Sequence, residues 1–390
     1  MKFIKDIFEK TQPLVQKGAK YHWLHSVHDG FFTLFFVQKN TSKSGTHIHD
    51  YTDLKRTMGM VVLALVPAIL FGMYNTGFQH FKAIGELAST GFFEIFLFGL
   101  IKVLPVIVVS YVVGLGIEFV FAQIRGHEIQ EGFLVSGILI PLVMPIETPL
   151  WMIALSTAFA VIIGKEVFGG TGMNIWNPAL VARAFLFFAY PAQMSGESVW
   201  VSLKDTDKLI DGYSGATPMA EAAAGNINFS VSDAFFGFIP GSIGETSTLA
   251  ILLGAVILIV TGIGSWKIMV STVAGGALMG LILNIFAGDN VYMSLPFWQH
   301  LILGGFAFGA VFMATDPVSG SQTEKGKWIY GFLIGILAIL IRVVNPAYPE
   351  GMMLAILLMN TFAPLIDHYV VAGHIKRRLK RSTVNRLTAN

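Results

Sequence analysis

A short polar stretch in the middle of an otherwise apolar sequence has the residue types that could hold a phosphate group. Residues 211–217 read Asp-Gly-Tyr-Ser-Gly-Ala-Thr, and a proline follows. Ser214, Gly215 and Ala216 leave the backbone accessible to a bulky anion. Thr217 offers a hydroxyl group on a chain that the proline stiffens. Asp, Gly and Ser are also ordinary turn residues, so a surface turn is the alternative interpretation.

A second polar group lies upstream, where a hydrophobic window begins. Thr171, Asn174 and Asn177 offer hydroxyl and amide partners, and Trp176 offers an aromatic wall. An isoalloxazine ring needs apolar or aromatic walls and a few such partners at its pyrimidine edge. The N-terminal amides of the following helix would also favour an electron-rich group. Capping of that helix is the alternative role for either asparagine.

Three carboxylates, Glu118, Asp316 and Asp367, lie in or near hydrophobic windows with no adjacent cation. Charged groups within membrane spans are costly, so each of them requires an explanation. Such carboxylates could desolvate a small cation or move a proton, whereas capping and interhelical hydrogen bonding are the alternatives. Lys165 and Arg183 lie near a predicted span boundary or next to possible partners, and structural salt bridges explain them at least as well as transport does.

Two glycines, Gly114 and Gly116, alternate with apolar residues in the second hydrophobic window. They could leave a groove for a flat ring or a prenyl tail. Plain helix packing explains them equally well. The pattern alone therefore leaves both interpretations open.

The composition excludes most classes of soluble protein. Hydrophobic residues make up 54% of the 390 residues, charged residues only 13%, and the mean hydropathy is +0.65. These values predict an integral membrane protein. The chain has no cysteine, so it can supply no thiolate to an iron–sulfur cluster. No phosphate-binding glycine loop occurs, which disfavours an ATP-driven pump, and the histidines are more typical of a surface than of a metal site.

The hydrophobic windows predict ten spans in two groups of five. The windows lie at about 57–74, 92–122, 132–146, 150–168 and 174–190, and at about 247–264, 268–287, 299–314, 327–344 and 351–373. They divide the chain into an N-terminal cytoplasmic segment (1–56), a first five-helix repeat (57–190), an outer loop with Thr217 (191–246), a second repeat (247–373) and a basic tail (374–390).

The distribution of charge predicts the orientation of these spans. Nine of the 26 Lys and Arg residues lie in the first 56 positions and six lie between Lys376 and Arg386. Topology explains these basic ends better than nucleic-acid binding does, because cytoplasmic segments are enriched in Lys and Arg. The interval 191–246 instead has seven acidic residues against two lysines. Both termini are therefore expected in the cytoplasm and Thr217 on the outer side.

The two groups of spans repeat one order of features. In each, a short span ends at a polar-proline break, and an Asn-Pro-Ala tripeptide follows one span later. In the first group Pro178 lies 33 residues after Pro145, and in the second Pro346 lies 29 residues after Pro317. Because each group contains five spans, the copies would be inverted in the membrane. We therefore expect an all-α integral membrane fold of about ten transmembrane helices in two inverted five-helix repeats with interrupted helices.

The stretch from Asp211 to Thr217 also resembles the flavin-transfer motif Asp-x-x-Ser-Gly-Ala-Thr, in which the threonine hydroxyl is esterified to the phosphate of FMN. Other stretches are similar to the B-subunit family of sodium-translocating NADH:quinone oxidoreductases, namely 165–172, 177–179, 185–193, 240–245 and 342–353. The likeness extends from about residue 50 to the C-terminus.

This resemblance implies a membrane subunit of the bacterial inner membrane that passes electrons from covalent FMN on Thr217 to riboflavin and then to quinone, coupled to Na⁺ translocation. It implies noncovalent riboflavin, which we assign to Thr171, Asn174 and Asn177. It places quinone on the inner side, where we assign Gly114 and Gly116. Glu118, Asp316 and Asp367 are the candidate ion-pathway residues, and Na⁺ and H⁺ both suit them. The expected partners are the other subunits, which oxidise NADH, and a flavin transferase.

Two alternatives stay open. The D subunit of the related Rnf electron-transport complex is similar in the core and in the threonine motif, and the N-terminal extension of about 50 residues favours the quinone-reducing relative. A secondary transporter with no redox role is the alternative from another class, suggested by the inverted repeat and the interrupted spans.

Overall fold

The computed structural model describes residues 2–15, 19, 21, 24–36, 44–46, 54–126, 132–203, 213–226, 229–345 and 351–388. Every regular element in these ranges is helical, and the ranges contain no β-strand. The all-α class expected from the sequence is confirmed. Asp211 of the polar motif and Pro346 of the second Asn-Pro-Ala tripeptide lie outside the described residues.

The described ranges contain sixteen α-helices. These are α1 (Lys2–Val15), α2 (His25–Phe35), α3 (Leu54–Ala83), α4 (Phe92–Arg125), α5 (Phe133–Leu142), α6 (Leu150–Ile162), α7 (Pro178–Ala189), α8 (Pro191–Met194), α9 (Pro218–Ala223), α10 (Val231–Phe236), α11 (Thr248–Val260), α12 (Trp266–Ile285), α13 (Phe297–Ile302), α14 (Phe306–Phe308), α15 (Glu324–Val344) and α16 (Gly351–Thr388). A 3₁₀ turn (Glu166–Phe168) and a π-helical turn (Gly309–Met313) complete them.

Within the described ranges, six segments are long and apolar enough to cross a membrane. They are Lys55–Ala83, Phe92–Arg125, Leu150–Phe168, Trp266–Ile285, Glu324–Val344 and Gly351–Arg381. Three shorter apolar helices, α5, α7 and α11, accompany them. Large apolar side chains also remain exposed on these helices, such as Val112 and Ile124 of α4. A lipid environment explains that exposure, and the chain is a multi-pass membrane protein.

The first long helix extends past the window that hydropathy predicts, as far as Ala83. The extension carries polar side chains that are buried and paired with loop carbonyl groups. The Asn75 amide donates to the Ile239 carbonyl oxygen at 3.0 Å, and the His80 Nδ1 atom lies 2.6 Å from the Ser202 carbonyl oxygen. Hydropathy falls here, but the helix continues because these contacts satisfy its polar groups.

The eighth hydrophobic window, which predicts one continuous span, folds as a broken element. The helix α13 ends at Ile302, and Gly304 and Gly305 follow with φ values of +60° and +68°. Glycine adopts this left-handed conformation without the steric cost of a side chain. The chain then continues through α14 and the π-helical turn, so this segment is interrupted inside the window, where its hydropathy indicates no break.

Glycines set the closest approaches between helices. The helices α12 and α15 pack against each other over much of their length. A Cβ atom on Gly275 would lie 2.1 Å from the Phe332 carbonyl oxygen, and one on Gly335 would lie 2.1 Å from the Thr272 carbonyl oxygen. Small residues allow such backbone contact between membrane helices. Elsewhere α3 packs on α4 and α11, α15 packs on α16, and α7 packs on both α6 and α16.

Candidate functional site

The threonine of the polar motif begins a short helix. Thr217 is the N-cap of α9, and its Oγ1 atom accepts a hydrogen bond from the Ala220 amide at 3.3 Å. The Ser214 hydroxyl oxygen accepts from the Ala216 amide at 3.2 Å. At Gly215 a Cβ atom would lie 2.4 Å from the Glu197 carbonyl oxygen. The glycine therefore permits a close backbone contact that fixes the approach to Thr217.

Thr217 opens onto a cavity of about 510 Å³ including its mouth, which we call the Thr217 pocket. Its wall consists of Trp200, 217–219, 239–242, Glu245, Thr246 and 302–305. The Thr246 hydroxyl is buried in this wall and has no hydrogen-bond partner among the described residues. Burying a hydroxyl without a hydrogen bond costs stability. A polar ligand in the pocket could bind this hydroxyl and remove that cost.

Tyr213, at the start of the described part of the motif, is also buried at its hydroxyl end. That hydroxyl has no hydrogen-bond partner among the described residues. Burial raises the pKa of Tyr213 to about 12. The phenol is therefore neutral at physiological pH and can act only as a neutral donor or acceptor.

Two buried arginines fix the elements that form the Thr217 pocket. Arg183 of α7 lies 3.4 Å from the Glu245 carboxylate and donates to the Ser242 hydroxyl at 3.1 Å. It therefore forms a structural salt bridge, one of the two roles considered for it from the sequence. Arg342 of α15 is fully buried, and its guanidinium donates to three carbonyl oxygens at the helix break, those of His300 (2.8 Å), Leu303 (3.2 Å) and Gly304 (3.0 Å). A planar guanidinium fork suits such multiple acceptors.

A larger cavity, which we call the Asn174 pocket, lies where the two halves of the chain meet. It has a volume of about 770 Å³ including its mouth. Its wall consists of 57–58, Val61, Gly132, 135–136, Leu139, Lys165, Thr171, Asn174, 177–178, Leu258, 263–264, Phe312 and 315–318. Thr171, Asn174 and Asn177 were assigned to one site from the sequence, and the structure brings them together. It adds Lys165 and Asp316 to the same wall.

The asparagines of this pocket also stabilise the start of α7. The Asn177 Oδ1 atom accepts from the amides of Ala179 (3.0 Å) and Leu180 (3.4 Å), which is the capping role weighed above. The Asn177 amide nitrogen donates to Asp316 at 3.4 Å. Asn174 donates to the Trp176 carbonyl oxygen at 2.9 Å. The donor set of the pocket is therefore held in place by hydrogen bonds within the protein.

The three candidate ion-pathway carboxylates occupy different environments. Glu118 of α4 has no adjacent cation in the sequence, but in the fold it pairs with Lys165, 47 residues away. Hydropathy and local spacing do not reveal a partner on another helix. Glu166 pairs instead with Arg125 at 2.9 Å.

Asp316 and Asp367 each bind the polar groups of a turn. The Asp316 carboxylate accepts from the Val318 amide and the Ser319 hydroxyl, at 3.1 and 2.8 Å. The Asp367 carboxylate accepts from the hydroxyls of Ser321 and Thr323 and from the amides of Gln322 and Thr323, at 2.6 to 3.0 Å. Asp316 lines the Asn174 pocket, whereas the carboxylate of Asp367, a residue of α16, binds the turn that precedes α15.

Gly114 and Gly116 do not share one wall. Gly114 is buried against α5, where a Cβ atom would lie 1.8 Å from the Phe133 ring. Gly116 is exposed, with open space where its Cβ atom would be. The exposed face of α4 continues toward Phe119, whose ring stacks on Phe31 of α2 at 6.3 Å. The open glycine therefore lies near the contact between α4 and the N-terminal segment.

Sequence reasoning missed several residues of the two pockets. Glu245, Thr246 and the Gly304–Gly305 pair lie in the wall of the Thr217 pocket. Adjacent glycines near the start of an apolar window were the available signal for the break. Among the described residues no group of three or more His, Cys, Asp or Glu side chains could hold a metal ion.

The long apolar helices, the interrupted segments and the two polar pockets define a multi-pass helical membrane protein with two candidate ligand sites at opposite ends of α11. The chain belongs to the NQR2, RnfD, RnfE family, whose family model matches residues 41–376. The family resemblance predicted from the Thr217 motif is confirmed.

Curated relatives match nearly the whole chain. A protein of Chromohalobacter salexigens is 47% identical over 403 residues, covering 97% of this chain and 96% of the relative. One from Pseudoalteromonas atlantica is 46% identical and one from Ectopseudomonas mendocina is 46% identical, each covering 97% of this chain and 99% of the relative. All three are named as the B subunit of a Na(+)-translocating NADH-quinone reductase.

Proposed function

We propose that this protein is the B subunit of a Na⁺-translocating NADH:quinone oxidoreductase and passes electrons from a covalent FMN to a second flavin and on to quinone. The relatives that support this cover 97% of the chain. The N-terminal extension of about 50 residues favours the quinone-reducing relative over the Rnf subunit. The observation that carries the redox role is that Thr217 lines a pocket whose wall also contains the unpaired Thr246 hydroxyl.

The Thr217 pocket suits a covalent phosphoester. Thr217 Oγ1 caps α9 as an acceptor, so the cap does not require the proton that a phosphoester replaces. Gly215 and Ala216 leave little side-chain bulk beside the hydroxyl, and Ser214 already binds the Ala216 amide. Trp200 and Ile239 provide apolar walls. A flavin bound here would accept electrons and pass them on, and these residues would orient it and exclude water.

The Asn174 pocket suits a noncovalent ring system such as riboflavin. Val61, Leu139, Leu258 and Phe312 provide apolar walls, and Thr171, Asn174 and Asn177 provide polar groups at the start of α7. Asn174, Asn177 and Thr171 would hold the polar edge of the ring, and the buried Lys165 adds a positive charge to the wall. A flat heteroaromatic ring requires this combination of apolar walls and a few polar partners.

The two pockets lie at opposite ends of α11, because Thr246 precedes this helix and Leu258 lies near its end. A helix of 13 residues is about 20 Å long. We propose that the Thr217 flavin lies on the outer side and the Asn174 flavin on the inner side. Quinone would then bind near the exposed Gly116 face of α4, beside α2. Gly114 would support this face through its contact with Phe133.

We further propose the ten-span inverted repeat. The helices pack in a corresponding way in the two halves. In the first half α4 packs on α6 and α6 packs on α7, and in the second half α12 packs on α15 and α15 packs on α16. The first helices of the two halves, α3 and α11, pack together, and so do the last, α7 and α16. Both basic termini would lie in the cytoplasm of a bacterial inner-membrane protein. Since the chain has no cysteine, single cysteines introduced at Ser214 and Lys325 should label from opposite sides.

Na⁺ would move through the assembled complex with Glu118, Asp316 and Asp367 as the ion-pathway residues of this subunit. Carboxylates bind hard cations such as Na⁺. NADH would be oxidised by another subunit, and a flavin transferase would modify Thr217. The complex would therefore be obligatory for the overall reaction.

The decisive experiment is in-gel flavin fluorescence of the denatured subunit, purified from cells that contain the flavin transferase. We expect a fluorescent band for the wild-type chain and none for Thr217→Ala. Thr246→Ala is the matched control, because it removes another threonine hydroxyl from the same pocket, and it should stay fluorescent. A dark wild-type band despite an active transferase would refute covalent FMN and favour the secondary transporter.

A further inference from the structure

Lys165 lines the Asn174 pocket, and the proposed function gives it no role in the redox chemistry. Its side chain lines the pocket and pairs on its other side with Glu118. We propose that Lys165 is a positioning residue that sets the reduction potential of the flavin in the Asn174 pocket, and that Glu118 determines how much of the lysine's charge the ring experiences. This inference rests on the proposed function, because it needs a flavin in that pocket.

The environment of the pair makes its charge effective over a distance. Lys165 is only 3% exposed and Glu118 only 4%. The Lys165 ammonium also lies 5.9 Å from the centre of the Phe133 ring. Buried charges are screened much less by water and salt than surface charges are. An ammonium in such a wall therefore changes the electrostatic potential inside the pocket.

The direction of the effect follows from charge balance. Reduction adds electrons to the bound ring, and a positive charge in the wall stabilises the more negative form. Without Lys165, the Glu118 carboxylate would be left near the pocket with no cation, and the oxidised ring would be favoured. Without the Glu118 charge, Lys165 would be uncompensated, and the reduced ring would be favoured. The two single substitutions should therefore shift the potential in opposite directions.

Neighbouring charges do not change these signs. Glu166, next to Lys165 in sequence, is neutralised by its own pair with Arg125. Asp316 is the carboxylate that lines the pocket, and all the variants retain it. A purely structural role for the Lys165–Glu118 pair makes a different prediction, because breaking the pair from either side would then destabilise the fold without opposite shifts in potential.

The test is a redox titration of the intact purified complex, in which the absorbance of the noncovalent flavin is followed and the Thr217 flavin is the internal reference. Lys165→Gln should lower the midpoint and Glu118→Gln should raise it. Each should change the ratio of reduced to oxidised flavin about tenfold at fixed potential, which is about 59 mV for a one-electron couple. The double variant should return close to the wild-type midpoint, as a coupled pair requires.

Two controls separate charge from structure. Lys165→Arg keeps the positive charge and should keep the midpoint. Lys267→Gln removes a lysine that pairs with Glu324 outside the pocket, and it should leave the midpoint unchanged. The inference would be overturned if both single variants shifted the midpoint in the same direction. It would also be overturned if both variants bound the flavin and neither shifted the midpoint. If Lys165→Gln loses its flavin, Glu118→Gln alone decides. If the wild-type complex contained no noncovalent flavin, the second flavin of the proposed function would instead be refuted.

Discussion

The Thr217 pocket and the Asn174 pocket lie at two ends of one helix but are constructed differently. The Thr217 pocket is formed largely by loops and a helix break, and the arginines beneath it are engaged by Glu245, Ser242 and backbone carbonyl groups. The Asn174 pocket is formed by helices of both halves and has Lys165 and Asp316 in its wall. The comparison suggests that the first pocket needs a covalent bond to retain a ligand, whereas the second can retain one by shape and charge.

The largest effect should come from Arg342, because it holds the break that forms the wall of the Thr217 pocket. Arg342→Gln would leave buried carbonyl groups without their donor, at about 3 kcal/mol or more in total. We expect a lower unfolding temperature and less covalent flavin on Thr217. Lys267→Gln is the control, since its ion pair with Glu324 is exposed and should contribute little to stability. Equal stability losses in the two variants would contradict this role of the break.

Asp367 offers a carboxylate outside both pockets with which Asp316 can be compared. Asp367→Ala removes hydrogen bonds to a charged acceptor and should cost about 2–3 kcal/mol in stability. Asp367→Asn should cost less, because the amide oxygen can still accept some of these bonds. Thermal unfolding and Na⁺ uptake by reconstituted vesicles are the two measurements. An Asp367→Asn variant of normal stability that no longer transports Na⁺ would assign Asp367 to the ion pathway rather than to the turn.

The glycine pair of α4 tests how the Asn174 pocket is supported. Gly114→Ala would drive a methyl group into the Phe133 ring, and overpacking of this kind costs about 1–3 kcal/mol. Since Phe133 lies beneath Lys165, the noncovalent flavin content should also fall. Gly116→Ala meets open space and should leave stability unchanged or raise it by up to about 1 kcal/mol. Quinone reduction that fails in Gly116→Ala, with both flavins retained, would support quinone binding at that face.

Asn177 should give a smaller loss of stability than Arg342, Asp367 or Gly114, and its variants distinguish capping from ligand binding. Asn177→Ala removes the cap of α7 at a cost of about 1 kcal/mol, whereas Asn177→Ser keeps a good cap. Both variants lose the amide, so both should release less noncovalent flavin on denaturation. Covalent fluorescence on Thr217 should be unaffected. Full flavin retention in Asn177→Ser would show that the asparagine acts only as a cap.

Much of this arrangement follows from local sequence. The Thr217 motif precedes a proline, and the structure places the threonine at a helix N-cap, where such a hydroxyl commonly lies. Asn174 and Asn177 stand at the start of an apolar window, and they meet Thr171 in one cavity. These residues are close in the chain, so their proximity depends on few long-range contacts.

The rest depends on packing between distant elements. The partner of Glu118 lies 47 residues further on, and the carbonyl groups held by Arg342 lie about 40 residues before it. Hydropathy could not reveal the break at Gly304–Gly305, because the residues on both sides of it are apolar. The extension of α3 was missed for the opposite reason, since Asn75 and His80 are polar but satisfied by loop carbonyl groups.

The N-cap position of Thr217 also has a consequence for the order of events during biogenesis. Ala216, Pro218 and Met219 are all buried, although Thr217 itself is partly accessible. An enzyme that modifies Thr217 has to bind the residues on both sides of it, and these residues are buried in the folded chain. We therefore expect the proposed flavin transferase to act before this segment packs into the fold. A chain that closes too early would remain unmodified, so the timing of folding would decide which copies mature.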